Sequence, residues 1–543
     1  MGSNTPRAPA RAENKRRLPA VALAAVALML APVAAQSAQV DSLFHPAPTS
    51  TGGLAPEPLQ TPLVYQSHDG ELSVVLEAKE TAVQIGSYPI KGATYNGVYG
   101  GPVLRVKPGD TLRLTLVNHL AQATNIHFHG MEVSPQGHAD NSMHMVGPGQ
   151  TWEYVLPISA DHPPGLYWFH THAHAFAERQ LMGGLSGTLV VEGFQDEVPA
   201  TKPLREQLMA LKEFAPEKGG QLATVPKPFN FVIKTINGQL MPQIAMQPGE
   251  TQLWRLSDQT ANTFFRLSLE GHSFTVVGED AHPVAHPAAA KEIILGPSSR
   301  IDVLVTAGAA GAYKLTAEKT ETGPAGDKFS AQVMAVMNVA RDPARPAPAQ
   351  LAPLTVANVK SQRPVPDDRI DERRLVVFSE DPVTGLFFIN HQAFDHERVD
   401  LQVPLGNIEE WTIRNASDEL HIFHIHQVAF QVVSINGKSQ AFNGLVDTVN
   451  VPIHGEVKVR IPFTDPTIIG RFMFHCHILE HEDKGMMGQI EVYDPKIGPM
   501  PADHDMADHD TTDMHQAGRT HGSGGVGHAH AAGNNGNVKN ANH

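Results

Sequence analysis

The chain has 543 residues, of which 41% are hydrophobic, and it contains 46 glycines and 42 prolines. Its formal net charge is -15. This length exceeds the size at which one hydrophobic core stops growing, so two to four domains are expected, and the composition favours turn-rich β-domains. The negative charge argues against a nucleic-acid partner, because phosphate binding needs an excess of Lys and Arg. The 30 histidines against a single cysteine raise the prospect of metal binding.

Residues 1–35 are predicted to be a signal peptide. Several basic residues precede the apolar, alanine-rich stretch LPAVALAAVALMLAPVAA, which ends in small residues, and cleavage is expected after Ala35. Arg16 and Arg17 suggest a twin-arginine signal, although the general export route stays open. A membrane anchor is the alternative, because the stretch is at the lower limit for spanning a bilayer. We expect a periplasmic or secreted monomer with no stable membrane insertion after processing.

A weak internal repeat occurs three times along the chain. VLRVKPGDTLRLTLVN spans 103–118, IAMQPGETQLWRLSD spans 244–258 and LQVPLGNIEEWTIRN spans 401–415. Each copy is a turn followed by alternating apolar and polar residues, which is typical of a half-buried β-strand. The spacing of the three copies fits β-sandwich domains of ordinary size.

The repeat and the changes in composition predict three β-sandwich domains and a tail. A Pro/Ala-rich segment at 341–353 is typical of an extended linker. After about Gly498 the apolar periodicity stops, so the His-, Asp- and Met-rich tail is predicted to be disordered. The predicted divisions are 36–200 for the first domain, 201–354 for the second, 355–498 for the third and 499–543 for the tail.

Four histidine clusters share one design, in which a His-x-His pair stands among strand-forming residues. Side chains alternate along a strand, so such a pair points both imidazoles to one face. Two clusters lie in the first predicted domain and two in the third, so a shared site is expected where these domains meet. The clusters are NIHFHGM with His127 and His129, YWFHTHAH with His170, His172 and His174, HIFHIHQ with His421, His424 and His426, and FHCHILEH with His475, His477 and His481.

The only cysteine, Cys476, stands between His475 and His477. It could be a core residue, a nucleophile with a histidine base, or a metal ligand. A nucleophile would leave the other histidine clusters unexplained, and zinc would give no role to a distant methionine. On a strand Cys476 faces away from its two neighbours, so the tripeptide can contact two metal centres. Cysteine with two histidines and a weak axial methionine is the ligand set of a blue-copper site, and His481 and Met486 follow at suitable distances.

The motifs HFHG, HTH, HIFHIH and HCHILEHEDKGMM, in this order, resemble those of the multicopper oxidases, the laccase and copper-efflux oxidase group. The resemblance runs from about residue 55 to 497. It implies an all-β fold of three cupredoxin-like Greek-key β-sandwiches that binds four copper ions, one of type 1, one of type 2 and two of type 3. Electrons from a donor would pass through Cys476 to the three-copper cluster, where O2 is reduced to water. The implied ligands are His421, Cys476, His481 and axial Met486 for type 1 copper, His127 and His424 for type 2 copper, and His129, His170, His172, His426, His475 and His477 for the type 3 pair.

Three acidic residues also resemble acidic residues of the family, and one further histidine stands next to a ligand motif. Glu482 and Asp140 resemble the carboxylates that supply protons to the cluster. Asp447, in LVDTVNV, resembles the carboxylate that orients a type 1 histidine and the substrate, and an ordinary turn aspartate is the alternative. His174 matches no ligand position and is expected to lie beside the cluster or in a channel wall.

The donor is left open by the sequence. A laccase-like oxidase of phenols and aromatic amines is the first interpretation, because no methionine-rich insert occurs between 355 and 497. A Cu(I) oxidase acting in periplasmic copper tolerance is the second, because the tail could collect copper ions. A copper-binding or structural protein without activity is the third, and loss of ligands would be its signature. A copper nitrite reductase shares the fold but lacks the HCH motif.

Overall fold

Strands dominate the computed structural model, which describes residues 1–2, 57–216, 222, 232–348, 350–357 and 363–500. The all-β prediction is therefore confirmed. The predicted signal peptide, apart from its first two residues, and the predicted tail, apart from residues 499 and 500, lie outside the described residues. None of the helices in the described part of the chain has the length and apolar character needed to span a bilayer.

The first sandwich is formed by strands β1 to β9. One sheet has the order β1-β4-β9-β8-β6 and the other the order β3-β2-β5-β7. Leucine, valine and aromatic side chains such as Leu114 and Phe128 fill the space between the two sheets. The strands are β1 (Val64–Gln66), β2 (Glu71–Ile85), β3 (Tyr88–Tyr95), β4 (Val103–Val106), β5 (Thr111–Asn118), β6 (His127–His129), β7 (Thr151–Pro157), β8 (Gly165–His170) and β9 (Ser186–Val191).

The second sandwich is formed by strands β10 to β22. Its two main sheets have the orders β11-β10-β13-β18-β15-β16 and β12-β22-β19-β14-β17, and β20 pairs with β21. The strands are β10 (Arg205–Phe214), β11 (Ile233–Ile236), β12 (Gln243–Met246), β13 (Thr251–Asp258), β14 (Phe265–Leu269), β15 (Phe274–Glu279), β16 (His282–Ala290), β17 (Glu292–Leu295), β18 (Arg300–Thr306), β19 (Gly311–Ala317), β20 (Thr320–Glu321), β21 (Lys328–Phe329) and β22 (Gln332–Val339).

The third sandwich is formed by strands β23 to β33, in sheets of order β24-β23-β26-β31-β28-β29 and β25-β33-β32-β27-β30. Its strands are β23 (Glu372–Asp381), β24 (Leu386–Ile389), β25 (Leu401–Pro404), β26 (Ile408–Asn415), β27 (His421–Ile425), β28 (Gln431–Ile435), β29 (Lys438–Ser439), β30 (Thr448–Val451), β31 (Glu456–Pro462), β32 (Gly470–Cys476) and β33 (Met487–Tyr493). Within the described residues the helices are α1 (Ala177–Gly183), α2 (Phe194–Glu197) and α3 (Leu479–Asp483), with 3₁₀ turns at Pro199–Thr201 and Pro466–Ile468.

The repeat found in the sequence marks the same crossover in each sandwich. Its first strand (β4, β12 or β25) pairs in parallel with the last strand of the sandwich. Its second strand (β5, β13 or β26) pairs in parallel with an early strand of the opposite sheet. The turn between them therefore carries the chain from one sheet to the other, which explains why it recurs with the same Pro- and Gly-rich character.

The predicted half-burial of the repeat strand is wrong for β13. Strand β5 alternates as expected, whereas every residue of Thr251–Asp258 is buried. The outer face of β13 contacts β8 of the first sandwich, and Gln259, which follows β13, donates a hydrogen bond to Thr188 Oγ1 at 2.9 Å. Contact between sandwiches covers the face that would otherwise meet solvent, so burial here depends on neighbours distant in sequence.

Candidate metal centres

The predicted histidine pairs lie on neighbouring strands. Strand β6 pairs with β8 in antiparallel fashion, with His127 opposite His170. Strand β27 pairs with β32, with His424 opposite His475. Directly opposite residues of an antiparallel pair project from the same face of the sheet, so each pairing brings two imidazoles side by side.

The clusters of the first and third sandwiches meet and form one group of eight buried histidines. The ring of His127 stacks on that of His426 with centroids 3.6 Å apart, and the ring of His129 stacks on that of His424 at 3.9 Å. The expectation of a site shared between the first and last sandwiches agrees with this geometry. The group consists of His127, His129, His170, His172, His424, His426, His475 and His477.

Within this group the nitrogens gather into smaller sets. His475 Nε2 lies 3.3 Å from His172 Nε2 and 3.2 Å from His426 Nε2. The ring centroid of His477 lies 4.9 Å from that of His129 and 5.3 Å from that of His170. The rings of His127 and His424, whose centroids are 6.0 Å apart, complete the group. The ligand atoms of His172, His426 and His475 lie within 4.8 Å of one another, and so do those of His127, His424 and His426, so the two sets share His426.

The nitrogens of this group fit metal ions. A buried polar atom without a partner is unfavourable, and neutral imidazole suits copper. Burial, together with neighbouring imidazoles, lowers the pKa of His129 and His170 well below the ordinary value. Each ring is therefore neutral and has one unprotonated nitrogen that can bind a metal ion. Among the described residues, the buried ring nitrogens of the group without a hydrogen-bond partner are Nε2 of His127, His129, His170 and His424, Nδ1 of His426, and both nitrogens of His477.

A second ligand set lies on the other side of strand β32. His421 Nδ1 and His481 Nδ1 are 3.1 Å apart, and Cys476 Sγ lies 3.6 Å from each. Met486 is fully buried, and its backbone lies beside them: its carbonyl accepts from Cys476 N at 3.1 Å and its N–H donates to His481 O at 2.9 Å. Two histidines, a cysteine and a methionine are the residue types that a blue-copper site uses.

The outer nitrogens of this second set have fixed partners. His421 Nε2 and Ser417 Oγ form a hydrogen bond of 2.6 Å, and His481 Nε2 lies 3.1 Å from Glu419 Oε1. The ring of Phe387 stacks on His481 with centroids 4.1 Å apart. Glu419 was not predicted from the sequence, although its position two residues before His421 was a usable signal.

Two of the predicted acids contact the eight-histidine group. Glu482 Oε2 lies 3.0 Å from His475 Nδ1. Burial raises the pKa of Glu482, but the imidazoles of His172 and His475 outweigh it and lower the pKa to about 2. Asp140 Oδ2 lies 3.0 Å from His127 Nδ1, on another part of the group. Each acid thus reaches an outer ring nitrogen, as carboxylates beside metal-bound histidines do.

The role predicted for Asp447 needs correction. Asp447 contacts neither histidine of the second ligand set. Its carboxylate pairs with Arg300, its Oδ1 lies 3.8 Å from His129 Nδ1, and its backbone carbonyl accepts from His424 Nδ1 at 2.8 Å. The register explains the difference, because β30 pairs with β27 so that Thr448, the next residue, stands opposite His424. Asp447 therefore belongs to the eight-histidine group.

His174 does not join the group. Strand β8 ends at His170; His172 still joins the group, but a turn begins at His174 and ends the alternation that would carry it to the same face. Its half-buried ring instead lies 4.9 Å from the ring of Phe394, and burial lowers its pKa.

The comparisons with known proteins agree with this geometry. Multicopper oxidase family models match residues 77–196, 207–340 and 365–496. The chain is 27% identical over 422 residues to multicopper oxidase mco of Staphylococcus aureus, covering 73% of this chain and 83% of the relative. It is 26% identical over 427 residues to the cell division protein FtsP of Escherichia coli, covering 73% and 84%.

Solved structures show the same fold. A multicopper oxidase from Campylobacter jejuni, described as a metallo-oxidase, is 28% identical and superposes with a TM-score of 0.70 over 83% of this chain and 100% of that one. The predicted fold class, all-β with three cupredoxin-like Greek-key β-sandwiches, is confirmed by this similarity and by the sheet topology.

Proposed function

Because the chain belongs to the multicopper oxidase family, we propose that it is an exported oxidase that couples one-electron oxidation of a small donor to four-electron reduction of O2 to water. The position of Cys476 carries this proposal. Its thiol lies with His421 and His481, while the residues on either side of it, His475 and His477, belong to the eight-histidine group. One tripeptide therefore joins the two ligand sets through a few covalent bonds.

The ligand assignment implied by the motifs is compatible with the observed grouping. Copper ions bound at these sites would supply the one-electron chemistry and the reduction of O2. The protein fixes their spacing and excludes water, because all eight histidines of the group are buried. We assign His421, Cys476, His481 and Met486 to type 1 copper, His127 and His424 to type 2 copper, and the trios His129, His170, His477 and His172, His426, His475 to the two type 3 ions.

We assign the proton supply to Glu482 and Asp140. Reduction of O2 to water consumes protons, and the two carboxylates contact the group at His475 and His127 respectively. Gln427 Nε2 donates to Asp140 Oδ2 at 2.6 Å, which holds that carboxylate in place. Both acids are buried, so each is placed to pass a proton inward instead of exchanging freely with solvent.

The surroundings of His481 favour a cationic donor such as Cu(I). Phe387 covers one ring face of His481 and Glu419 occupies its outer edge, and only 4% of the side chain is exposed. An aromatic donor therefore has little ring surface to contact. Glu380, which is half-buried on β23, lies near Glu419, and burial together with the charge of Glu419 raises the pKa of Glu380. The negative charge of Glu419 attracts a cation through the Coulomb interaction.

A phenolic donor is the second candidate. The carboxylate of Glu380 can accept a hydrogen bond from a phenol O–H, and a laccase-like activity needs no more than electron entry at His481. Oxygen uptake by the copper-loaded protein, with Cu(I) or with a methoxyphenol as sole donor, distinguishes the two. Uptake with Cu(I) at much the higher rate is expected, and preference for the phenol without added copper would reject the cationic donor.

The proposal also covers the location, the oligomeric state and the domain bounds of the protein. We place the protein in the periplasm or outside the cell, after removal of residues 1–35, as a monomer with domains at 36–200, 201–354 and 355–498. A binding protein without activity is disfavoured, because every ligand position of the motifs holds a residue able to bind copper. Full copper occupancy without oxygen uptake from either donor would reject the oxidase function.

A further inference from the structure

Arg300 belongs to the middle sandwich, which supplies no assigned copper ligand, yet its side chain reaches the eight-histidine group. The side chain is 1% exposed, and its Nη1 and Nη2 donate to Asp447 Oδ1 and Oδ2 at 2.7 and 2.5 Å. Nε donates to Leu166 O at 3.2 Å, and Nη1 lies 3.3 Å from His129 Nδ1. Leu166 is in the first sandwich and Asp447 in the third, so one guanidinium joins all three.

The backbone that carries Arg300 is held by the same network. Arg300 N–H donates to Asp280 Oδ1 at 2.9 Å, and Asp280 Oδ2 accepts from Thr448 Oγ1 at 2.8 Å. Asp280 and Ser298 both have positive φ, at 42° and 76°. Such conformations are unfavourable for residues other than glycine and persist where the surroundings enforce them, often at functional sites.

The ion pair also packs against the loop that follows His129. Gly130 has φ of +83°, and a Cβ built there would lie 2.7 Å from Arg300 Nη2 and overlap Asp447 Oδ2. Only a glycine leaves room for the charged pair at this point. This contact explains the glycine of the HFHG motif in this chain.

The partners of Asp447 connect the pair to two rings. Its backbone carbonyl can only accept a hydrogen bond, so His424 carries its proton on Nδ1 and leaves Nε2 free towards the group. Its carboxylate oxygen faces His129 Nδ1 at 3.8 Å. A displacement of Asp447 would therefore move or release both rings.

We propose that Arg300, acting through Asp447, is a positioning residue that sets the orientation of His129 and His424 in the proposed trinuclear copper site. This inference rests on the proposed function. It gives the middle sandwich a role in the copper site beyond joining its neighbours. Arg300 itself touches no reacting atom.

The middle sandwich offers a matched control pair. Arg255 on β13 is also 1% exposed, and its Nε and Nη2 donate to Asp302 Oδ1 and Oδ2 at 2.9 and 3.1 Å. Replacing both members of a buried pair removes the two charges together, and each double variant also takes the arginine away from one further acid, Asp280 at 3.4 Å from Arg300 and Glu206 at 3.2 Å from Arg255. We therefore compare the double variant Arg300→Met/Asp447→Asn with the control Arg255→Met/Asp302→Asn. A third variant, Arg300→Lys, keeps the positive charge but loses the planar guanidinium that donates two parallel hydrogen bonds.

The readouts are bound copper per chain, the blue absorption of type 1 copper, and the electron paramagnetic resonance spectrum of type 2 copper. In the Arg300→Met/Asp447→Asn protein we expect unchanged blue absorption with at least a twofold loss or a clear shift of the type 2 signal. Arg300→Lys should give a smaller shift in the same direction, and the control pair should leave both signals unchanged.

Three results would overturn the inference: wild-type signals in both Arg300 variants, equal losses in the control pair, or failure of both Arg300 variants to fold while the control pair folds. The last would mean that Arg300 serves folding alone. Absence of the type 2 signal in the wild-type protein would instead reject the proposed function itself.

Discussion

Replacing Glu419 by glutamine tests how the donor is recognised. The substitution removes one negative charge next to His481 Nε2, which lies 3.1 Å from Glu419 Oε1, and keeps the size of the side chain. A cation held about 4 Å from this carboxylate gains about 1 kcal/mol in a water-like medium and about 4 kcal/mol at the effective dielectric near a protein surface. Because only 9% of the Glu419 side chain is exposed, the value should exceed the water-like limit.

These energies correspond to a loss of roughly 5-fold to several hundred-fold in kcat/KM for Cu(I). An anionic donor such as ferrocyanide should be oxidised faster by the variant, because the repulsion is gone. A change in the type 1 copper itself would move both donors in the same direction, so opposite signs identify a charge effect. Steady-state oxygen uptake with each donor at low ionic strength measures both.

The exposed neighbour Asp418 provides the control. Its carboxylate pairs with His454 at 2.7 Å and is 62% exposed, so Asp418→Asn removes the same charge in a screened position and should change either rate by less than about twofold. Burial raises the pKa of Glu419, but the interactions with His481 outweigh it and hold the pKa at about 2. The carboxylate thus stays ionised as the pH falls, and cation preference should persist to about pH 3. Equal changes for both donors, or an equal effect of Asp418→Asn, would refute the reasoning.

Three further substitutions have defined outcomes. Gly130 has a positive φ, and Gly130→Ala places a Cβ against the buried ion pair of Arg300 and Asp447. The free energy of unfolding, measured in urea, should therefore fall by at least about 2 kcal/mol. Phe387→Ala should lower the free energy of unfolding by about 3 kcal/mol, because the residue is only 7% exposed. The same variant should oxidise a bulky phenol faster, because His481 is uncovered. An unchanged rate with the phenol would contradict the shielding role of Phe387. Glu482→Gln should lower kcat by about 10²-fold through loss of proton transfer while the blue absorption is retained, and wild-type turnover would exclude that role.

The alternation of side chains along a strand predicted which residues of the histidine clusters share a face. Alternation along a strand depends only on nearby residues, so the opposite facing of Cys476 and its neighbours His475 and His477 could be read from the sequence. The observed contacts of Cys476 with His421 and His481 agree with that reading. Glu482 and Asp140, which the resemblance indicated as proton suppliers, each lie 3.0 Å from a histidine of the group; Glu482 follows directly on His481, whereas Asp140 is 13 residues beyond His127 in sequence.

Contacts between sandwiches could not be predicted in this way. Asp447 was assigned to the wrong centre, because its neighbours depend on the register between β30 and β27. Arg300 gave no signal at all, since GPSSRIDV reads as an ordinary strand start, and its partners are 134 and 147 residues away. The full burial of Trp254 and its neighbours on β13 likewise depends on packing between sandwiches.

The most direct test of the proposed oxidase is the stoichiometry of oxygen uptake. The copper-loaded protein is given a measured amount of one-electron donor, and O2 consumed and peroxide released are recorded together, for wild type and for Cys476→Ser. We predict one O2 consumed for every four electrons, with no peroxide, and no uptake by the variant. Release of peroxide at one O2 for every two electrons, or uptake that survives loss of Cys476, would contradict the account.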